Sequence, residues 1–363
     1  MRKSGYYEMS DTPNQLRDEE YALIADESMM IASQKLVPTL AAPASHPGRP
    51  IRLSDVRMLG VHVASSWNAE KMSRAFDGDV KKVGHAPLYA ITDNDHKMKN
   101  AVRLSGITRI HDISHTLAMF MERVYKKDAD FVEFNSMMAD CKKRHCMKEL
   151  ACLQPPSQRV IARFMNLSDW IGWASSIMTI YHTLPSAERE AFSFVPKHAS
   201  FIGEMREVVS CIRLIEQTMK NEGLSKDTIA KCGKMVRKRL TAGNARMRDV
   251  GRMILDYLHN ENLMLREYEV WNNSTDIIES IFGIQKYTQS PNKLNGVTTL
   301  ILHLPVLFRM SEEKAARKYN IKERMCNVKI RDIIKWRNEN LLENHAAKRV
   351  RILRQAKLIG RIS

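Results

Sequence analysis

Residues 87–112 read PLYAITDNDHKMKNAVRLSGITRIHD, and their reading decides the fold class. The apolar run that ends at Asp93 predicts a short buried strand. Residues 96–104 place apolar side chains at helical spacing, and Ser105–Gly106 is a fitting stop. Residues 107–112 (ITRIHD) predict the next strand. A strand, helix and strand joined this tightly predict a crossover between parallel strands. Upstream, residues 68–82 (NAEKMSRAFDGDVKK) predict a helix with Asn68 as its N-cap. Residues 21–30 (YALIADESMM), 34–40 (QKLVPTL) and 56–65 (VRMLGVHVAS) each predict a strand, with Pro38 marking the second as an edge.

The order β-β-β-α-β-α-β predicts a mixed α/β sheet, and it is also the strand order of the ribonuclease H fold. From residue 113 to 273 the pattern turns helical. Segments such as FVEFNSMMADCKKRHCMKELACL and FIGEMREVVSCIRLIEQTMKNEG repeat apolar residues three and four apart. Residues 274–287 (STDIIESIFGIQKY) predict a further helix, with Ser274 or Thr275 as N-cap and Asp276 in its first turn. The expected organisation is a flexible lead-in at 1–19 and the first part of the core at 20–115. A helical insertion at 116–273, completion of the core at 274–310 and a basic helical tail at 311–363 follow.

Charge narrows the partner. Lys and Arg number 57 against 41 Asp and Glu, a net +16. Such an excess favours a polyanion, because basic side chains gain affinity by releasing condensed counterions. The excess is clustered. Residues 311–363 hold 15 Lys and Arg against 6 acids, and residues 231–252 hold 8 against one Asp. The plain reading is a pair of solvated helix faces; the concentration favours phosphate contact through Arg237, Lys238, Arg239, Arg246, Arg248, Lys348, Arg349, Arg351 and Arg354.

Two acids close apolar runs, Asp26 and Asp93. One acid at a strand end is usually a turn former or a helix cap. Two at the ends of two core strands suggest a shared edge where carboxylates meet. Hard cations such as Mg²⁺ take oxygen ligands, and two ions roughly 3.5–4 Å apart can activate water and stabilise a leaving phosphodiester oxygen. Glu279 is the natural third ligand and Asp276 its runner-up; the competing reading makes both simple partners of the helix dipole. Lys286 lies two turns beyond Glu279 on the same face, within reach of a phosphate.

The stretches IADESMMIASQKL around Asp26, LYAITDNDHKMKNAV around Asp93 and TDIIESIFGIQKY around Glu279, followed by KLNGVTTLILHLP, resemble insertion-sequence transposases of the DDE class. The resemblance covers roughly residues 20–310. Glu279 and Lys286 repeat that class's Glu-x6-Lys spacing. Asp112 to His115 (DISH) resembles the Asp/Cys-x-x-His signature that follows the second catalytic acid, against the plain reading of a helix cap with an ordinary histidine. The resemblance implies a ribonuclease-H-like core interrupted by the helical insertion. It implies two Mg²⁺ (or Mn²⁺) ions on Asp26, Asp93 and Glu279, with Asp112 and His115 in support. It further implies cleavage at transposon ends, transfer of the freed 3′-OH into target DNA, and a homo-oligomer on DNA. Such transposases usually carry a DNA-binding domain before the first catalytic strand, which here begins near residue 21. Either that domain is missing, or end recognition lies in the insertion or the tail.

The rivals are a ribonuclease-H-like nuclease without strand transfer and a truncated or domesticated DNA-binding protein without chemistry. No Gly-rich phosphate loop, GxSxG or HExxH occurs, which argues against the enzyme classes built on them. The six cysteines lack paired CxxC spacing and predict reduced thiols; Cys141, His145, Cys146 and Cys152 do not match a zinc finger. Trp170 and Trp173 read as core, with base stacking as the alternative. No apolar leader opens the chain, and residues 297–308 are too short to span a bilayer. The expected location is cytoplasmic, on the nucleoid.

Overall fold

A computed structural model describes residues 1–27, 29–31, 34–145, 152–156, 164, 167–288, 297–310, 320–342 and 345–359. They divide into two units, Met1–Asp112 with Trp271–Ser363, and Ile113–Val270.

The first unit holds a mixed sheet of β1 (Tyr21–Ala25), β2 (Met29–Ile31), β3 (Gln34–Pro43), β4 (Arg57–Ala64), β5 (Tyr89–Thr92) and β6 (Arg109–His111). β3 runs antiparallel to β1, β2 and β4, whereas β1, β5 and β6 are parallel. All five residues of β1 (YALIA) are buried, as a central strand covered on both faces requires. The expected first strand is broken after Ala25: Asp26 and Glu27 leave the ladder, and the chain re-enters it as β2. β3 is not an edge, because β1 and β4 flank it. Pro38 is tolerated there because it falls between residues 34–36, which pair with β2, and residues 39–43, which pair with β1.

The helices, in chain order, begin with α1 (Arg2–Gln15), α2 (Ala69–Val83) and α3 (His96–Leu104) in this unit. Asn68 caps α2 by accepting from the Lys71 backbone N–H at 2.9 Å, and Gly84 ends it at φ 100°. Asp95 caps α3, accepting from the Lys97 N–H at 2.8 Å. Met72 and Phe76 of α2 and Met98 and Val102 of α3 bury their apolar faces with Leu23, Val37 and Leu59 of the strands. Full burial of each such side chain stabilises the fold by about 1.5–3 kcal/mol.

The second unit is helical: α4 (Ile113–Tyr125), α5 (Ala129–His145), α6 (Leu167–Ile180), α7 (Ser186–Ala191), α8 (Phe194–Lys197), α9 (Ala199–Glu222), α10 (Lys226–Arg239) and α11 (Ala245–Met264). α9 packs against α4, α6 and α10. Trp170 is core, edge-on to Phe134 at 5.1 Å and close to Phe131 and Phe201. Trp173 donates to the Leu153 carbonyl at 2.8 Å. Both tryptophans are thus engaged within the protein.

The first unit is completed by α12 (Asp276–Thr288), α13 (Val297–Met310) and the helices Ile321–Cys326, Ile330–Asn340 and His345–Ile359. Here the expected lead-in needs correcting. Residues 2–15 are not loose; they form α1, which packs on α13 and on the two helices that follow it. Its polar sequence conceals the reason. Glu8 is buried and ion-paired with Arg309 at 3.0 Å and with Arg324, while Met9 joins Leu302, Val328 and Ile333 in a small apolar core. A buried carboxylate with two guanidinium partners substitutes for an apolar face.

Candidate active site

Asp26 and Asp93 are placed by strand register. Ala25 and Thr92 are partners on the parallel strands β1 and β5, so the next residue on each, Asp26 and Asp93, lies just beyond the same end of two adjoining central strands. Neighbouring strands are about 5 Å apart. Asp26 is buried and Asp93 half-buried. Asp93 also shapes its own turn: Oδ1 accepts from the Asp95 N–H at 3.1 Å, and Asp95 in turn caps α3. The turn-former reading of Asp93 therefore holds alongside any other role.

The start of the helix that carries Glu279 is held to this part of the sheet through Asp112. The Asp112 backbone N–H donates to the Thr92 carbonyl at 3.1 Å, which places Asp112 beside the end of β5. Its fully buried carboxylate accepts at Oδ2 from the Thr275 N–H at 2.6 Å and the Thr275 hydroxyl at 2.9 Å. Thr275 immediately precedes α12. The start of the Glu-bearing helix is therefore latched to the strand that carries Asp93, and Glu279 follows one turn later as an exposed side chain. Trp271 stacks on Tyr89 of β5 at 4.6 Å, and the Asn272 N–H donates to the Tyr89 hydroxyl at 2.7 Å, tying the approach to α12 to the same strand. Asp276 and Glu279 both occupy the first turn of α12, so the dipole reading is also met.

Among the described residues, no three His, Cys, Asp or Glu side chains form a group that could hold a metal ion. The donor chemistry of Asp26 and Asp93 suits a hard cation, since both offer only carboxylate oxygen. The side chain of Lys286 lies outside the described residues. His115 sits half-buried in the first turn of α4, in the second unit.

Arg109, Glu27, Lys35 and Lys97, all around the strand ends, were not singled out by the sequence. Arg109 of β6 donates to the Thr92 hydroxyl at 2.7 Å, to the Asp93 carbonyl, and to Asn94 Oδ1 at 3.1 Å, clamping the turn that bears the acid. Glu27, directly after Asp26, bonds Lys35 of β3 at 3.0 Å and Lys97 of α3 at 2.7 Å. Its position next to Asp26 was the only signal available; the partners are far away along the chain.

The basic residues divide. Arg246, expected to meet DNA, is half-buried and paired with acids within the second unit. It bonds Asp128 and Asp130 at 2.8 Å and Glu204 at 2.6 Å, with Tyr125 and Phe201 rings beside it. Burial works against its charge, but the bonds to Glu204, Asp128 and Asp130 outweigh that and raise its pKa. Arg239 is half-buried and bonds Ser210 at 3.1 Å. Arg237, Lys238, Arg248, Lys348, Arg349, Arg351 and Arg354 are exposed.

No protein-family model matches the chain, and no curated protein matches it. Among the described residues, no helix is long and apolar enough to cross a membrane.

Proposed function

We propose that the chain is the catalytic part of a DDE-type transposase built on a ribonuclease-H-like sheet, cutting DNA at element ends and transferring the freed 3′-OH into target DNA. The observation that carries the reading is the pairing of Ala25 with Thr92, which sets Asp26 and Asp93 side by side at one end of the parallel strands. The latch from Asp112 to Thr275 supports it, because it brings the start of the Glu279 helix to that end. Asp26, Asp93 and Glu279 would hold Mg²⁺ or Mn²⁺. Bound there, such ions would supply Lewis-acid stabilisation and an activated water. Arg109 holds the Asp93 turn in shape, and the exposed basic residues position the duplex through its phosphates without reading its bases.

The test is nicking of supercoiled plasmid by the full chain with Mg²⁺ or Mn²⁺, followed by a search for joined products. Metal-dependent nicking that is lost in Asp26→Asn, Asp93→Asn and Glu279→Gln, each still folded by circular dichroism, is the expected result. Nicking without joining would reduce the activity to that of a nuclease. Duplex binding with no nicking in either metal would sink the enzymatic reading and leave a DNA-binding protein.

A further inference from the structure

Glu27 is an unusual neighbour for an acid site. It follows Asp26 directly, is 14% exposed at its side chain, and bonds a different lysine with each oxygen: Lys35 through Oε1 and Lys97 through Oε2. The two lysines come from separate elements, β3 and the first turn of α3, and both keep more than a third of their side-chain surface in water. The bond from Lys97 to Glu27 raises the lysine pKa against partial desolvation, and the charges of Asp95 and Asp93 add to it. The arrangement is thus a carboxylate gripping two cations at the same sheet end as Asp26 and Asp93.

We propose that Lys35 and Lys97 form a phosphate clamp for the DNA strand at this site, and that Glu27 is the internal anion that holds the two ammonium groups in place until a phosphate displaces it. The proposal rests on the functional reading above, which supplies the polyanion. Its physical basis is geometric equivalence. A carboxylate bridging two lysines occupies the position that two non-bridging phosphate oxygens would take, and lysine acts as a compact point charge toward phosphate. Neutralising Glu27 removes the competitor, so its substitution and those of the lysines must act in opposite directions.

The experiment is a salt titration of binding to a fluorescein-labelled duplex of arbitrary sequence, using the full chain. Lys97→Gln and Lys35→Gln should each weaken binding several-fold and make the plot of log affinity against log salt shallower by about 1. Lys97→Arg should restore most of the slope, and Glu27→Gln should tighten binding. If these lysines only brace α3 against β3, the Gln variants will lower the melting temperature and leave the slope unchanged, which overturns the clamp. The clamp also falls if Glu27→Gln weakens binding. Nicking assays keep the two proposals separate. Unchanged slopes with metal-dependent nicking sink the clamp and leave the enzyme; shifted slopes without nicking leave the clamp and sink the chemistry.

Discussion

Asp79 shows how one buried charge can be held in the fold. It sits on α2, 1% exposed, with His62 Nε2 at 2.7 Å, Lys82 Nζ at 2.7 Å and the Thr39 hydroxyl donating at 2.5 Å. Gly60 leaves room for the group; a Cβ there would come within 2.9 Å of both Asp79 oxygens. Burial raises the carboxyl pKa, but the charge and hydrogen bond of His62, then those of Lys82, bring it down to about 2. A depressed folded-state pKa gives stability that is present above the unfolded value of 3.8 and is lost as pH falls through about 2. The gap corresponds to about 2 kcal/mol. Urea unfolding of wild type and Asp79→Asn should therefore show a difference that shrinks by that amount between mildly acidic pH and about pH 2. A difference that stays constant would remove Asp79 as the source. The thiols give a second check at this scale. Burial pushes Cys211 up to about 11 and Cys232 up to about 12, whereas Cys152 and Cys326 are exposed. Iodoacetamide at mildly alkaline pH should label the exposed pair first and reach Cys211 and Cys232 only on unfolding.

At the scale of elements, the limits of α2 and α3 follow from nearby residues. Asn68 and Asp95 start them, and Gly84 and Gly106 follow their ends with positive φ. α1 was illegible for the opposite reason. Its helix has a weakly amphipathic sequence, and what holds it is distant: Arg309, Arg324, and the close approach of α13 at Gly5. A Cβ on Gly5 would overlap the carbonyl oxygen of Leu302, which is backbone and has no rotamer to move to. Gly5→Ala should lower stability by about 1–3 kcal/mol, although alanine ordinarily favours a helix over glycine. A melting temperature that rises instead would mean that α1 does not dock on α13 in solution.

For the whole molecule, the +16 charge is legible as composition, but its deployment is not. Arg246 and the exposed residues of the last helix look alike in sequence, yet Arg246 is neutralised by three acids and Lys348, Arg349, Arg351 and Arg354 face solvent. Arg246→Ala should therefore cost about 2 kcal/mol of stability and leave the salt dependence of duplex binding alone. Replacing Lys348, Arg349 and Arg354 with Ala should do the reverse, flattening the salt slope with no change in melting temperature. Equal effects of the two variants on the slope would refute that division.

The mixed sheet, the helices α2 and α3 and the two acids at the strand ends were legible along the chain, because period, caps and strand-ending acids are written within a few adjacent residues. The chain in three dimensions was needed to bury Glu8, to pair Arg246 with three acids, to join Glu27 to two lysines, and to hold Thr275 to Asp112 across 163 positions of chain. Those outcomes depend on which polar groups meet once water is excluded. A buried charge takes whatever partner the fold brings within reach, and nothing in its own neighbourhood along the chain names that partner.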